Sequence, residues 1–181
     1  FEGEKVLVER INIQGNNVTN ESVIRGELSI DEGDPFTKLN LEKSIAKIKS
    51  RNIFKDVNYE IEDGSVNNLK IVNINVEEKP TGEISAGAGI GTNGGSFAIS
   101  ISENNWLGEG KKVDFSIELD AESLGGTINY SDPNYDFLGN SINYYLSSND
   151  NDKPDQGYEN TIVTAGVNTS FEQYKSIYTK L

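Results

Sequence analysis

Val113-Asp114-Phe115-Ser116-Ile117-Glu118-Leu119-Asp120 alternates apolar and polar side chains without a break. Period two belongs to a β-strand, because successive side chains leave a pleated backbone on opposite faces. A helix would need apolar residues three and four apart. The alternation spreads outward in both directions. Upstream, Phe97, Ile99 and Ile101 alternate with Ala98, Ser100 and Ser102, and Ile84, Ala86, Ala88 and Ile90 with Ser85, Gly87, Gly89 and Gly91. Downstream come Ile128 and Tyr130, then Ile142, Tyr144 and Leu146, then Val163, Ala165 and Val167, then Ile177 and Leu181. The pattern predicts about seven strands of roughly nine residues, a length that crosses a bilayer at a tilt. Polar segments at 92–95, 104–111, 121–126, 132–140, 149–160 and 172–175 join them.

A soluble antiparallel sandwich alternates in the same way, and periodicity does not separate it from a membrane barrel. Two details favour the barrel. The face opposite the apolar one is wet or glycine-lined, as a hydrated lumen requires. Aromatic residues also sit close to strand ends, at Trp106, Tyr135, Phe137 and Tyr174, where interfacial girdles belong.

Composition removes several function classes. The 181 residues carry 16 Lys+Arg against 29 Asp+Glu, a net charge of −13. A nucleic-acid binder would show a basic stripe instead. With no Cys and no His, disulfides, thiolate zinc sites, a cysteine nucleophile and a Ser-His triad are excluded. These absences fit the expectation of a non-enzymatic function, with no cofactor and no metal. With Gly counted and Tyr removed, the apolar share is roughly 40%, below the ~45–50% of ordinary globular domains. No apolar run approaches the ~18 residues of a membrane helix. The start at Phe1, without Met or a leader pattern, suggests a piece of a longer chain.

Outside the alternating region the chain changes character. Residues 1–80 hold 11 basic side chains and five Gly, and residues 81–181 hold five basic side chains and 13 Gly. Glu77-Glu78-Lys79-Pro80-Thr81-Gly82 reads as a short hinge between two domains, 1–80 and 81–181. The first domain predicts strand, two helices, two strands. Val6, Val8, Ile11 and Ile13 lead into a turn at Gly15-Asn16-Asn17. Thr19 or Asn20 is placed to cap a helix carrying Val23, Ile24 and Leu28, and Leu41, Ile45 and Ile48 make the apolar stripe of a second. Val57, Tyr59 and Ile61 alternate, Asp63-Gly64 turns, and Val72, Ile74 and Val76 alternate again. The expectation is an α+β unit, a three-stranded sheet with two helices on one face.

These residues resemble a known pairing of modules. Val8, Ile11, Ile13, Gly15-Asn16, Val23-Ile24-Arg25, Glu32-Gly33-Asp34, Ile53-Phe54-Lys55-Asp56-Val57 and Val76-Glu77-Glu78-Lys79 resemble a POTRA (polypeptide-transport-associated) domain. Thr81-Gly82-Glu83, the run Ala86 to Gly91, Asn104-Asn105-Trp106-Leu107-Gly108-Glu109-Gly110 and Asp132-Pro133 resemble the start of the BamA-type outer-membrane barrel. Asn134 stands between Pro133 and Tyr135 where that family more often has an aromatic at once. The resemblance implies the fold: a β-α-α-β-β POTRA domain, last of a series, followed by the first strands of an incomplete transmembrane β-barrel. It implies folding and insertion of β-barrel proteins into the bacterial outer membrane, with the POTRA domain in the periplasm. The alternative is a POTRA-gated outer-membrane secretion pore. The implied partners are unfolded outer-membrane β-barrel clients, accessory assembly lipoproteins and outer-membrane lipid, with no nucleic acid.

Two edges are candidate client-binding sites, because an exposed strand offers main-chain partners to an added one. One is the first barrel strand, Glu83, Ile84, Ser85, Ala86, Gly87, Ala88, Gly89, Ile90 and Gly91. The other is the POTRA strand over 54–62, marked by Phe54, Val57, Tyr59 and Ile61. Glu32 is a candidate lipoprotein contact or a plain turn acid. Gly87-x-Gly89-x-Gly91 alternates within a strand and precedes no helix, so it is no phosphate loop. Asp114, Glu118 and Asp120 share one face and read as a solvated lumen wall. Asn149-Asp150-Asn151-Asp152 lacks the glycine and distant glutamate of a calcium loop and reads as an exposed connection.

Overall fold

The computed structural model describes residues 5–91, 94–136, 138–174 and 177–180. Thr92, Asn93, Phe137, Lys175 and Leu181, which entered the sequence reading, lie outside the described residues, as does the side chain of Tyr174. The elements in chain order are β1 (Leu7–Gln14), α1 (Glu21–Arg25), α2 (Lys38–Ser50), β2 (Phe54–Asp63), β3 (Leu69–Glu78), β4 (Gly82–Gly91), β5 (Gly94–Trp106), β6 (Lys111–Asp120), β7 (Ser123–Asp132), β8 (Ser141–Lys153), a 3-10 turn (Pro154–Gln156), β9 (Tyr158–Tyr174) and β10 (Ile177–Lys180). They fall into two units. The first is 1–80 with 107–110, and the second is 81–106 with 111–181.

The first unit is the α+β body expected. Its sheet runs β1-β3-β2, with β1 parallel to β3 and β2 antiparallel to it. Thr37 caps α2, its hydroxyl accepting the Asn40 N–H at 3.3 Å. One face of α2 buries Leu41, Ser44, Ile45 and Ile48. These pack with Val8, Ile11, Ile24, Ile53, Val57, Val72 and Ile74 in a single core. Helix α1 is shorter than the apolar spacing suggested. It stops at Arg25, and Leu28 packs on the core from beyond it. Asn20 takes the N-cap place, but its side chain makes no cap; its backbone N–H donates to Gly108 O at 2.8 Å. Arg51 reaches the same turn, donating to Gly110 O at 2.5 Å. Gly108 (φ +74°) is required there, since a Cβ would lie 2.2 Å from Val18 O.

The second unit is a seven-stranded antiparallel sheet in chain order, from β4 at one edge to β10 at the other. Among the described residues it is open: β4 bonds to β5 alone, and β10 to β9 alone. Strand count and order agree with the alternation in the sequence. The connections are shorter than expected: Gly94-Gly95 and Asn104 to Trp106 lie in β5, Ser123 to Gly126 in β7, and Tyr158 to Asn160 with Glu172 and Gln173 in β9. Asn149-Asp150-Asn151-Asp152 lies inside β8 rather than in a loop. Its side chains pair across to β9, where Thr161 donates to Asp150 at 2.7 Å and Asn151 to Asn160 at 3.0 Å. Cross-strand pairing of this kind outweighs the low strand propensity of Asn and Asp.

Candidate strand-accepting edges and lipid face

Each row of side chains across the second sheet can be read from its register. Ile84, Ile101, Phe115, Ile128, Leu146 and Ala165 form one row across six strands. The adjacent row on the other face is Ser85, Ser100, Ser116, Thr127, Ser147 and Thr164, an unbroken line of hydroxyls. Among the described residues the apolar face lies open: Ile84 is 73% exposed, Leu146 49% and Val163 65%. Among the described residues of this unit only Asn105 is buried. A sandwich would bury one face against a second sheet. The observed sheet has a bare apolar face and a polar one, which is what a barrel wall between lipid and a wet lumen needs.

The apolar band is also raked. On β4 it runs from Ile84 to Ile90. On β8 it runs only from Ile142 to Leu146, and Ser148 and Asp150 continue the same face as polar residues. Leu146 lies in the row of Ile84, so the band has dropped by several residues over four strand spacings. At about 3.3 Å per residue and 4.8 Å per strand, this is a slope of roughly 30–45°. Strands of closed barrels tilt by about that angle, so the band would lie level in a membrane.

Strand β4 is the exposed edge at the start of the sheet, and every residue in it is exposed. Its side chains are small from Ser85 to Gly89. A Cβ on Gly87 would meet nothing within 4 Å, and one on Gly89 would come 3.0 Å from Ser96 Oγ. Gly87 is therefore not demanded by crowding among the described residues. Glycine there lowers strand stability and leaves no side chain to hold a neighbour. Ile84 and Ile90 stand out at 73% and 95% exposed, while Glu83 accepts the Ser85 hydroxyl at 3.3 Å.

In the first unit, β2 is an edge strand paired only with β3. Of the four residues singled out there, Phe54 and Val57 point into the core at 7% and 1% exposure. They offer an added strand backbone rather than side chain. Tyr59 is half-buried and Ile61 is exposed. Sequence reasoning did not single out Asn58, Glu60 and Glu62, which occupy the uncovered face of the same strand. Glu32 lies at the opposite edge, where it accepts the Ile11 N–H at 3.0 Å, with Arg25 at 3.9 Å. Trp106 and Tyr135 are exposed near strand ends. On the polar face Asp114 accepts the Ser102 hydroxyl at 2.7 Å and pairs with Lys112 at 3.1 Å. No cluster of side chains suited to a metal ion occurs among the described residues.

Comparison with known proteins agrees with both halves. Residues 6–79 match the family model of the POTRA, or surface antigen variable number repeat. The chain is 27% identical over 176 residues to the outer membrane protein assembly factor BamA of Neisseria meningitidis, covering 96% of this chain and 21% of that one. It is 33% identical over 129 residues to BamA of Neorickettsia risticii, covering 71% of this chain and 17% of the relative. Among solved structures, a BamA from Haemophilus ducreyi lacking POTRA domains 1–3 superimposes with a TM-score of 0.78 at 21% identity, covering 91% of this chain and 32% of that one. CdiB from Escherichia coli gives 0.68 at 16% identity, covering 94% and 34%. The chain thus spans about a fifth of the length of the curated relatives it matches.

Proposed function

We propose, for a chain whose residues 6–79 belong to the POTRA family and whose later strands are those of a BamA-type barrel, a part in folding and inserting β-barrel proteins into the bacterial outer membrane. The POTRA domain lies in the periplasm and the strands cross the membrane. An unfolded client strand carries backbone donors and acceptors that lipid leaves unsatisfied. The observation that carries the reading is β4, a membrane-length strand that begins the sheet and carries only small side chains from Ser85 to Gly89. Such an edge supplies a client with main-chain partners largely independent of client sequence. Its small side chains, Ser85 to Gly89, hold any closing strand weakly, so the seam opens at modest cost. Edge β2 offers the same service in the periplasm. Client folding supplies the energy, accessory lipoproteins assist, and outer-membrane lipid is the solvent of the apolar face.

The test uses the full-length protein. Single cysteines along 84–90 should form disulfides with the last strand of a stalled client, in one register. Proline at Ala88 should stop assembly while the barrel still folds. Crosslinks confined to lumen loops, or assembly unaffected by proline at each position, would overturn the reading.

A POTRA-gated polypeptide secretion pore is the second reading, because the fold is shared with CdiB as well. Passage of a client through the lumen, with matching conductance, would favour it.

A further inference from the structure

The POTRA sheet has two edges, and the chain treats them differently. On β1 the outward backbone groups of Val8 and Ile11 are taken. Val8 N–H donates to Asp34 O at 2.9 Å, and Val8 O accepts from Gly33 N–H at 2.7 Å. Further along, Ile11 N–H donates to Glu32 Oε1 and Ile11 O accepts from Arg25 Nη2, both at 3.0 Å. Arg25 is itself held by Glu21 at 2.6 Å. Residues 32–34 and one arginine therefore plug this edge, a device that stops unwanted strand addition. Among the described residues no other segment covers edge β2 in this way; its Val57 N–H donates to the neighbouring Asp56 Oδ1 at 2.8 Å.

Pairing with β3 sorts the β2 side chains. Val57, Tyr59 and Ile61 stand opposite Val76, Ile74 and Val72, which are buried in the core, so they share the helix-covered face. Asn58, Glu60 and Glu62 occupy the open face. A strand added beside β2 brings its own side chains within about 4.5–5.5 Å of these. On one face they would meet Tyr59 and Ile61, and on the other two carboxylates.

We propose that the POTRA sheet takes an added strand at β2 alone, and that this strand is an amphipathic stretch of unfolded polypeptide. It carries apolar side chains opposite Tyr59 and Ile61 and Lys or Arg opposite Glu60 and Glu62. The proposal rests on the reading of β2 as a strand-accepting edge and adds the chemistry of what is accepted. A second copy of β2 is a poor occupant, since pairing it with itself would bring carboxylates together. The same charges thus select a basic strand and keep the edge from templating its own kind.

The experiment places a photo-crosslinking side chain at Asn58 on β2, or at Gln14 on β1, in full-length protein in a lipid nanodisc. The probes are nine-residue peptides alternating apolar residues with Lys, with Ser or with Glu. The Lys peptide should crosslink at Asn58 about tenfold better than the Glu peptide at low salt, and the preference should shrink as salt rises. Glu60→Lys with Glu62→Lys should reverse the order. Little should crosslink at Gln14 until Glu32→Ala frees the Ile11 amide. Equal crosslinking of all three peptides at Asn58 overturns the charge preference while leaving β2 a strand-accepting edge. No crosslinking at Asn58 by any peptide overturns that edge reading itself. Equal yields at Gln14 and Asn58 in the unaltered protein, or no gain at Gln14 in Glu32→Ala, overturn the plugged edge.

Discussion

The Glu78 carboxylate, near the end of β3, receives the backbone N–H of Thr19 at 2.6 Å. The preceding amides of Val18 and Asn17 converge on the same carboxylate at 2.9 Å each. Three successive N–H groups aimed at one anion form a nest, here filled by the protein's own side chain. It ties the turn after β1 to the adjacent C-terminal end of β3.

Burial by itself would raise the Glu78 carboxyl pKa, but the hydrogen bonds from Thr19, Val18 and Asn17 outweigh it and hold it below the ordinary value. A depressed folded-state pKa contributes stability above the unfolded pKa, and that stability is lost as pH falls through the folded value. Glu78→Gln should therefore lower stability by about 1–2 kcal/mol at neutral pH. The gap from the unaltered protein should close on acidification below the ordinary carboxylate range. Urea melts at pH 7 and pH 3 would check this, and an equal gap at both would count against the nest.

Gly15 sits in the same turn with φ +91°, and an added Cβ would lie 1.9 Å from Val76 O. Strain and clash act together, and the obstacle is backbone, which cannot swing aside. Gly15→Ala should cost about 2–4 kcal/mol. Thermal unfolding of the POTRA unit reports it, and a shift of only a degree or two would contradict the geometry.

Arg51 and Glu27 form an ion pair at 3.5 Å with side chains only 12% and 11% exposed. Removing Arg51 takes from Glu27 its nearby cation and from Gly110 O its donor. Arg51→Ala should cost about 3 kcal/mol, while the double replacement Arg51→Met with Glu27→Leu should recover much of it. Denaturant midpoints of the two variants decide the matter.

Gly166, on the polar face of β9, lies under the ring of Tyr145, where a Cβ would fall 2.4 Å from the ring. Gly166→Ala should push the ring off the sheet and weaken the barrel by about 1–3 kcal/mol. Tyr145→Ala together with Gly166→Ala should be milder than the sum of the two. The temperature at which full-length protein loses its folded gel mobility is the readout.

Much of this architecture is legible in the chain because strand alternation and the Leu41, Ile45, Ile48 stripe are local signals. What escapes such reading is set by distant partners. Asn20 looks like a capping residue, yet its useful group is the backbone N–H given to Gly108. Leu28 fits the helical spacing of Val23 and Ile24, yet the chain leaves the helix at Arg25 and packs a half-buried Leu28 on the core from beyond it. Asn149 to Asp152 carry loop composition and become strand through partners on β9. Phe54 and Val57 mark β2 in the sequence, but the open face there belongs to Asn58, Glu60 and Glu62, which alternate with Tyr59 and Ile61.

Every one of the buried hydrophobic residues described lies between Val8 and Val76. That asymmetry has a calorimetric meaning. Unfolding the first unit hydrates its core and raises heat capacity, by about 1 kcal/mol/K for a body of this size. Its stability curve is therefore strongly bowed, with a maximum near ~10–20 °C and losses on cooling as well as heating. In the function proposed above, the strands after Pro80 set their apolar side chains against lipid, and their stability would then track bilayer thickness and fluidity instead. One polypeptide then carries two thermometers, and a shift in growth temperature is felt by the periplasmic half through water and by the membrane half through the packing of acyl chains.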